Sequence, residues 1–558
     1  MKFSTPLVTR FSTIILVLLI AIQIKYSLIQ DPSHNFEFDY IIVGAGTAGC
    51  VVAGSLISNS NYTVLIIEAG DYFNALTQIP TAATLLQGSK HDWSLKTEPQ
   101  MYSSFGMLNH AQAYPRGKGL GGSGQLNYLV HMEPTANDYE QWKNQNITTW
   151  NYESMFPFFR KLESFIHIMD NKVMDNTDLQ TTFQKIQTEI KNITVKTIRS
   201  TIFEGKRWSS FDGYLKPVLR DPKLHILLNT EVSKILFSKK KAIGIMTEST
   251  KIPRILVRKQ VILCAGVVHS PQILLRSGIG SQKSLKKLNI STVANLKGVG
   301  KNLYDHLNTP LFVSIEKPVS VTAVKILCVS EIWKYIRQKE GLLASLPIMG
   351  RARTVDDQTF ILFGMGSTDE GLLREIGNYR PDVFHSLFPL YHNISQEGFV
   401  FLSSCLYPKS RGSITLENTD KRTPKINPNY LENHSDVTCM IKALRMSRKI
   451  LHTKKFQSLG AKIHWPKLRQ CENYVHLSIE HMECIIRMGS LTGYHPGGTC
   501  RMGNDELSVV NENLEVRGVQ GLRVVDASVM PSPIVHFPNS FIIAMADRAT
   551  TLILNDSK

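Results

Sequence analysis

Apolar positions along the chain follow two periods. Asp39 to Val43 and again Thr63 to Ile67 are rich in β-branched residues and read as strands, the second ending at Glu68. Between them, Ala48 to Ile57 carries its apolar residues at helical spacing. Strand, helix and strand joined by short loops predict a parallel βαβ unit, because a right-handed crossover packs the helix back onto both strands. Thr230 to Phe237 predicts a further strand. No glycine occurs between Gly124 and Gly205, where 36 glycines in 558 residues would place about five, and within this stretch "LQTTFQKIQTEIKN", from Leu179, reads as a polar helix. At the amino terminus, Lys2 and Arg10 precede an apolar run from Phe11 to Ile24, too short for a comfortable span of about 20 residues. Residues 1–27 therefore read as a secretory signal peptide, with a signal anchor left open because no clean small-residue cleavage site follows.

A length of 558 residues corresponds to three or four domain-sized masses, and 43% hydrophobic with 20% charged residues is ordinary globular usage. Disorder, collagen-like repeats and a polytopic membrane protein are excluded. The net charge of +17 is carried by short, scattered runs such as Lys239 to Lys241, without the concentrated basic element a nucleic-acid binder needs. Sequons begin at Asn61, Asn146, Asn192, Asn289, Asn393, Asn433 and Asn555, which acquire meaning only in an exported, secreted protein. Eight cysteines show no paired Cys-x-x-Cys spacing, so neither a zinc site nor any other metal is expected. Cys471 and Cys484 are close enough in sequence to pair, whereas Cys50, Cys264 and Cys405 sit in apolar runs that suggest buried thiols.

Within the βαβ unit, Gly44, Gly46 and Gly49 form G-x-G-x-x-G. The first glycine permits the tight turn, the second admits a pyrophosphate, and the third lets the helix pack closely, while Thr47 and Ala48 open a helix whose amino end favours anions. Glu68 stands where a carboxylate can accept a ribose hydroxyl. Preceding strand, following helix and distal acid together indicate a dinucleotide, without separating FAD from NAD. Ser123 is no hydrolase nucleophile, because Gln125 occupies the position where that elbow requires glycine.

"YPRGKGLGGSGQLNYLVHMEPTANDYEQW", from Tyr114, resembles the first signature of the glucose-methanol-choline (GMC) flavin oxidoreductases. In the same order as in that family follow "VILCAGVVHSPQILLRSGIG" from Val261, "KGVGKNLYDH" from Lys297, "YPKSRGSITL" from Tyr407, "YHPGGTCRMG" from Tyr494 and "GLRVVDASVMP" from Gly521. The likeness runs from about Phe36 to Asn555 and is nearest to arthropod glucose dehydrogenases. It implies FAD as cofactor, held additionally by Gly121, Gly122, Ser123 and Asn127, with Val232 at the adenine and Asp526 in a segment against the cofactor. It also implies an α/β chain, α+β overall, in which a Rossmann-like FAD domain is interleaved with a sheet-and-helix substrate domain. The amino-terminal part would span 36–330 and the carboxy-terminal part 400–555. Three separated pieces would build the FAD domain: the amino-terminal unit, Val232 to Gly280, and the segment from His495.

The same resemblance makes His495 the base that takes a hydroxyl proton while the flavin accepts hydride, work that suits a neutral imidazole. The second catalytic position departs from the family. Its His or Asn lies nine residues before the alanine matched to Ala546, and here that residue is Phe537. Phenylalanine exchanges no proton. A one-residue slip in "PSPIVHFPNS" would bring His536 into the role instead, and Asn539 is a further polar candidate. Gly124 and His131 also depart from the signature, and the glycine-free stretch replaces a glycine-containing turn and strand of related enzymes. Three function classes follow: a secreted FAD-dependent oxidoreductase acting on a CH-OH group of an alcohol, sugar or sterol, an FAD-binding relative with weak turnover and a binding role, and a redox-neutral lyase. The partners expected are a small alcohol and an electron acceptor such as oxygen, a quinone or a protein, with a membrane only if the leader stays attached.

Overall fold

The computed structural model describes residues 37–170, 177–366, 370–417 and 424–556. The amino-terminal leader expected over 1–27 lies outside the described residues. In chain order the elements that position the site are strand β1 (Glu37–Val43), helix α1 (Thr47–Asn59), β2 (Val64–Ile67), α2 (Asp178–Lys185), β3 (Ile193–Lys196), β4 (Leu224–Leu227), β5 (Val232–Ser238), β6 (Lys241–Thr247) and β7 (Arg254–Leu263). They continue with α3 (Gly266–Arg276), β8 (Leu307–Ser314), β9 (Ile348–Thr354), β10 (Gln358–Phe363), β11 (Gly398–Cys405), α4 (His434–Leu451), β12 (Lys462–His464), β13 (Leu491–Thr492), β14 (Leu522–Val524) and α5 (Asn539–Asn555).

Two seven-stranded sheets carry the molecule. The first has the order β4-β2-β1-β7-β6-β5, with β14 added beside β7. Its β4, β2, β1, β7 and β14 are parallel, and β5 and β6 turn back antiparallel. Phe38 and Tyr40 to Val43 are all buried, because a parallel strand inside this sheet is covered on both faces. The Rossmann-like sheet thus gathers strands from 37–67, 224–263 and 522–524. Helices α1 and α5 pack against each other on it. The first turn is tight for a steric reason: a Cβ on Gly49 would lie 1.9 Å from the Gly44 carbonyl oxygen, so only glycine lets α1 start so close to β1.

The second sheet is antiparallel, in the order β12-β8-β11-β10-β9-β3, with β13 beside β8, and α4 covers one face. The polar helix expected from Leu179 to Asn192 is shorter than the pattern suggested. It becomes α2 and one further turn ending at Thr188, and the chain then extends into β3 at the sheet edge. Leu179 and Phe183 anchor α2 in the core below this sheet, which stops it from continuing as a free polar helix. Two disulfides join Cys471 to Cys484, the pair suggested by spacing, and Cys405 to Cys439. Cys405 is therefore not the buried thiol its apolar surroundings indicated. Its partner lies on α4, 34 positions away in sequence. Cys50 and Cys264 are buried and free. All seven sequon asparagines are exposed.

Candidate active site

One long cavity runs between the two sheets. Its walls include Gly44, Gly46, Thr47, Ala48, Glu68, Gly122, Ser123, Asn127, Val232, Asp526, His495 and Phe537, twelve of the residues singled out in the sequence. Gly49, Gly121 and His536 do not line it. Gly49 serves helix packing, while Gly121, with φ of +95°, makes the left-handed turn and donates its N–H to the Ala45 carbonyl at 2.7 Å.

The glycine loops meet across this cavity. A Cβ on Gly122 would sit 2.6 Å from the Gly46 Cα, so the loops touch backbone to backbone. A Cβ on Gly46, by contrast, would find no protein atom nearer than 4.0 Å. The space over Gly46 is left to a ligand, beside the amino end of α1 whose free N–H groups and dipole attract phosphate. Glu68 is buried and holds this cradle together. Its Oε2 accepts from the Ala45 N–H at 2.9 Å, and its Oε1 from the N–H groups of Gly70 and Gly119 at 2.9 and 3.0 Å. Burial pushes the Glu68 carboxyl up, and those three donors pull against it. Asp526 is likewise a buried clamp. It accepts from the Gly266 N–H at 2.9 Å, the Ser270 hydroxyl at 2.6 Å and the Ser528 N–H at 2.8 Å, capping α3 and the turn after β14.

Sequence reasoning missed the support beneath Asn127. Arg207 is fully buried and donates to the Asn127 Oδ1 at 2.8 Å and to the carbonyls of Gly124 and Thr77 at 3.1 and 2.9 Å. Burial pulls its guanidinium down to about 9. Arg207 lies 80 residues from Asn127, so no local pattern could have linked them.

His495 is placed by an aspartate also missed. Asp305 Oδ1 accepts the His495 N–H at 2.8 Å, while its Oδ2 accepts the hydroxyls of Tyr430 and Thr492 at 2.6 and 2.5 Å. This fixes the turn in which Tyr494 adopts φ of +62°. Asp305 and its neighbour His306 end the "KGVGKNLYDH" segment, which was the signal available. The rings of His306, His495 and His536 cluster, with centroids 5.4 Å apart for 306 and 495, 5.2 Å for 495 and 536, and 4.7 Å for the stacked pair 306 and 536. Buried without protein partners are His495 Nδ1, His306 Nδ1 and His536 Nε2. Desolvation and mutual repulsion hold the His495 and His536 imidazoles well below the usual value, and burial lowers His306.

Phe537, and not His536, forms the cavity wall beside His495, with ring centroids 5.1 Å apart. The one-residue slip that would have brought His536 to that wall does not occur. His536 is committed behind it, 3.1 Å from the Thr359 hydroxyl through Nδ1 and stacked on His306, whereas the apolar Phe537 ring joins Ile348, Ile361, Phe363, Val400 and Leu402 across the cavity.

The three rings carry a pH dependence. Each imidazole is held below 6.5, so under mildly acidic conditions the unfolded chain binds protons that the folded chain refuses. Stability is level above that value and falls as pH drops through it, by up to about 1.4 kcal/mol per pH unit for each ring. Denaturant midpoints should therefore decline between pH 6.5 and 5.5, and equal midpoints across that interval would contradict it.

Sheet order, glycine cradle and the half-buried imidazole in the cavity wall define a dinucleotide-binding protein of the Rossmann-like class. The GMC oxidoreductase models match residues 38–308 and 408–546, and the chain belongs to that family. It is an FAD-dependent oxidoreductase. It is 35% identical to Drosophila melanogaster "neither inactivation nor afterpotential protein G", over 99% of this chain and 98% of that one. It is 30% identical to the glucose dehydrogenase [FAD, quinone] of the same fly, over 89% and 83%. It is also 30% identical to an oxygen-dependent choline dehydrogenase of Cronobacter sakazakii, over 92% and 94%. A formate oxidase from Aspergillus oryzae superposes with a TM-score of 0.80 at 22% identity, covering 94% and 99% of the two chains, and so shares the fold.

Proposed function

We propose that the protein oxidises the CH-OH group of a hydrophobic alcohol, with His495 as the base. The observation that carries this reading is a neutral, half-buried imidazole beside the FAD cavity with one ring nitrogen sealed. Nδ1 is buried, so Nε2 is the atom left to receive a hydroxyl proton from the cavity. Asp305 holds the His495 backbone and so aims the ring. Bound FAD supplies the hydride acceptor. Gly44, Gly46 and Gly122 would hold its pyrophosphate, Glu68 and Val232 its adenosine side, and Ser123 and Asn127 its ring system. The apolar wall of the second sheet, with Phe537, excludes water and favours an apolar substrate body. Relatives named for glucose and choline dehydrogenation support a CH-OH donor, while the apolar wall argues against a sugar. The exposed sequons and two disulfides support an exported protein.

Anaerobic mixing of the purified protein with apolar alcohols, sterols and sugars tests the reading. Bleaching of the flavin band by the apolar members is expected, and a band unchanged by the whole panel would reject it in favour of an FAD-binding relative with little turnover. Phe537 gives that second reading its support, because it removes a hydrogen-bond partner for the alcohol oxygen. Phe537→Asn restores a donor beside His495, so the rate of bleaching should rise, by about tenfold or more for a preorganised donor. A fall in rate would mean that Phe537 acts in substrate packing instead.

A further inference from the structure

Behind Phe537 lies a second, more polar cavity. It is walled by β9, β10 and the 132–138 segment, opens at the exposed Lys196 and Val355 beside the half-exposed Asp357, and reaches inward to the buried His536 and Thr359. Phe537 and Ile361 line both cavities and form the partition between them.

Every carboxylate around this chamber is already engaged. Asp138 accepts from Arg353 at 2.8 Å and from the Tyr407 hydroxyl at 2.7 Å, and its other oxygen accepts from the Thr135 N–H and hydroxyl. Asp357 takes the other side of the Arg353 guanidinium at 2.5 Å. Glu133 pairs with His131 at 3.0 Å and Arg160 at 3.5 Å. Arg351 is left over. It sits two residues from Arg353 on β9, directly across the strand pair from Lys196 of β3, and lines the chamber with it. Among the described residues neither Arg351 nor Lys196 has an ion pair, and the Arg351 guanidinium makes no side-chain hydrogen bond. Burial and the neighbouring Arg353 charge lower the Arg351 pKa below its ordinary value, against the pull of the Asp138 carboxylate, which is already paired with Arg353. A guanidinium partly withdrawn from water and unpaired is costly, and its planar fork matches a carboxylate in bidentate fashion.

We propose that this chamber binds the carboxylate of a small organic acid, with Arg351 as its principal partner, Lys196 adding charge at the mouth and the unpartnered Nε2 of His536 available at the inner wall. The acid has two sources. It is either the far end of an alcohol substrate that reaches past Phe537, or a separate molecule seated against the back of that ring. Its binding is read without turnover, so the site stands or falls apart from the alcohol-oxidation reading.

Calorimetric titration of the FAD-loaded protein with benzoate, and with benzamide as the uncharged analogue, tests the proposal. Saturable benzoate binding is expected, at least tenfold weaker in Arg351→Gln and severalfold weaker in Lys196→Gln, with flavin absorbance and melting temperature unchanged; benzamide should not compete. Lys196→Glu, at an exposed position, should abolish binding and serves if Arg351→Gln does not fold. Benzoate affinity equal in wild type and both Lys196 variants, benzamide binding as well as benzoate, or no saturable binding would each overturn the site. The sources separate on flavin reduction. A half-saturation that rises in Arg351→Gln for 4-(hydroxymethyl)benzoate, but not for its amide, supports the substrate's own acid. Benzoate that changes reduction by benzyl alcohol without competing supports a separate acid.

Discussion

His495→Ala should slow the reduction of bound flavin by an alcohol substrate about a hundredfold or more, the scale of losing general-base catalysis, while the purified protein stays yellow. The reason is positional. Asp305 holds the backbone of residue 495, and the ring it carries lines the cavity beside Phe537, which His536 does not. His536 and His306 stand one layer back, so they cannot substitute for the missing imidazole without crossing Phe537 or the stacked pair. Because the His495 pKa is pushed well below 6.5, the base is neutral across ordinary pH, and the acid limb of kcat/KM should lie below that value. Stopped-flow reduction at saturating alcohol checks the rate, and a variant as fast as wild type would remove His495 from the chemistry. An acid limb at or above pH 6.5 would show that bound FAD or substrate reverses the desolvation seen around the ring.

Gly46→Val should leave the protein without detectable bound flavin. A side chain at this position would enter the space that the surrounding protein leaves open, since the nearest protein atoms to a Cβ are 4.0 Å away on Cys264 and Gly122. It would therefore meet the pyrophosphate rather than the protein, and the apoprotein should still fold. Absorbance near the flavin maxima after purification, together with circular dichroism, reads both parts. Flavin retained at full occupancy would mean that the cofactor does not pass over Gly46. Gly49→Ala makes a useful contrast, because there the added carbon collides with the Gly44 carbonyl oxygen and the damage should fall on folding.

The two catalytic-side assignments differ in how far each could be read in advance. His495 sits in a glycine-rich turn whose neighbours are all within a few residues, so its placement beside the cavity followed from a local motif. Phe537 and His536 are adjacent, and which of them reached the wall depended on Thr359 and His306, 177 and 230 positions away in the chain. Asp526 shows a similar limit. The sequence put it against the cofactor segment, and the fold shows its carboxylate spent on capping backbone from α3 and its own turn.

What the sequence by itself determined was the βαβ unit, the glycine cradle with Glu68, the order of the family landmarks, and hence the class of cofactor. These rest on constraints that act within one turn or one strand: φ above zero at Gly44, helix-to-strand contact at Gly49, and the β-branched run of β1. The tertiary structure alone decided the support of Asn127 by Arg207, the histidine layer behind Phe537, the pairing of Cys405 with Cys439, and the lack of an ion pair at Arg351 among the described residues. Each is a meeting of side chains from distant strands and helices, where what matters is which partner arrives and which does not. Residue identities along the chain leave that open until packing of the two sheets brings the partners within reach.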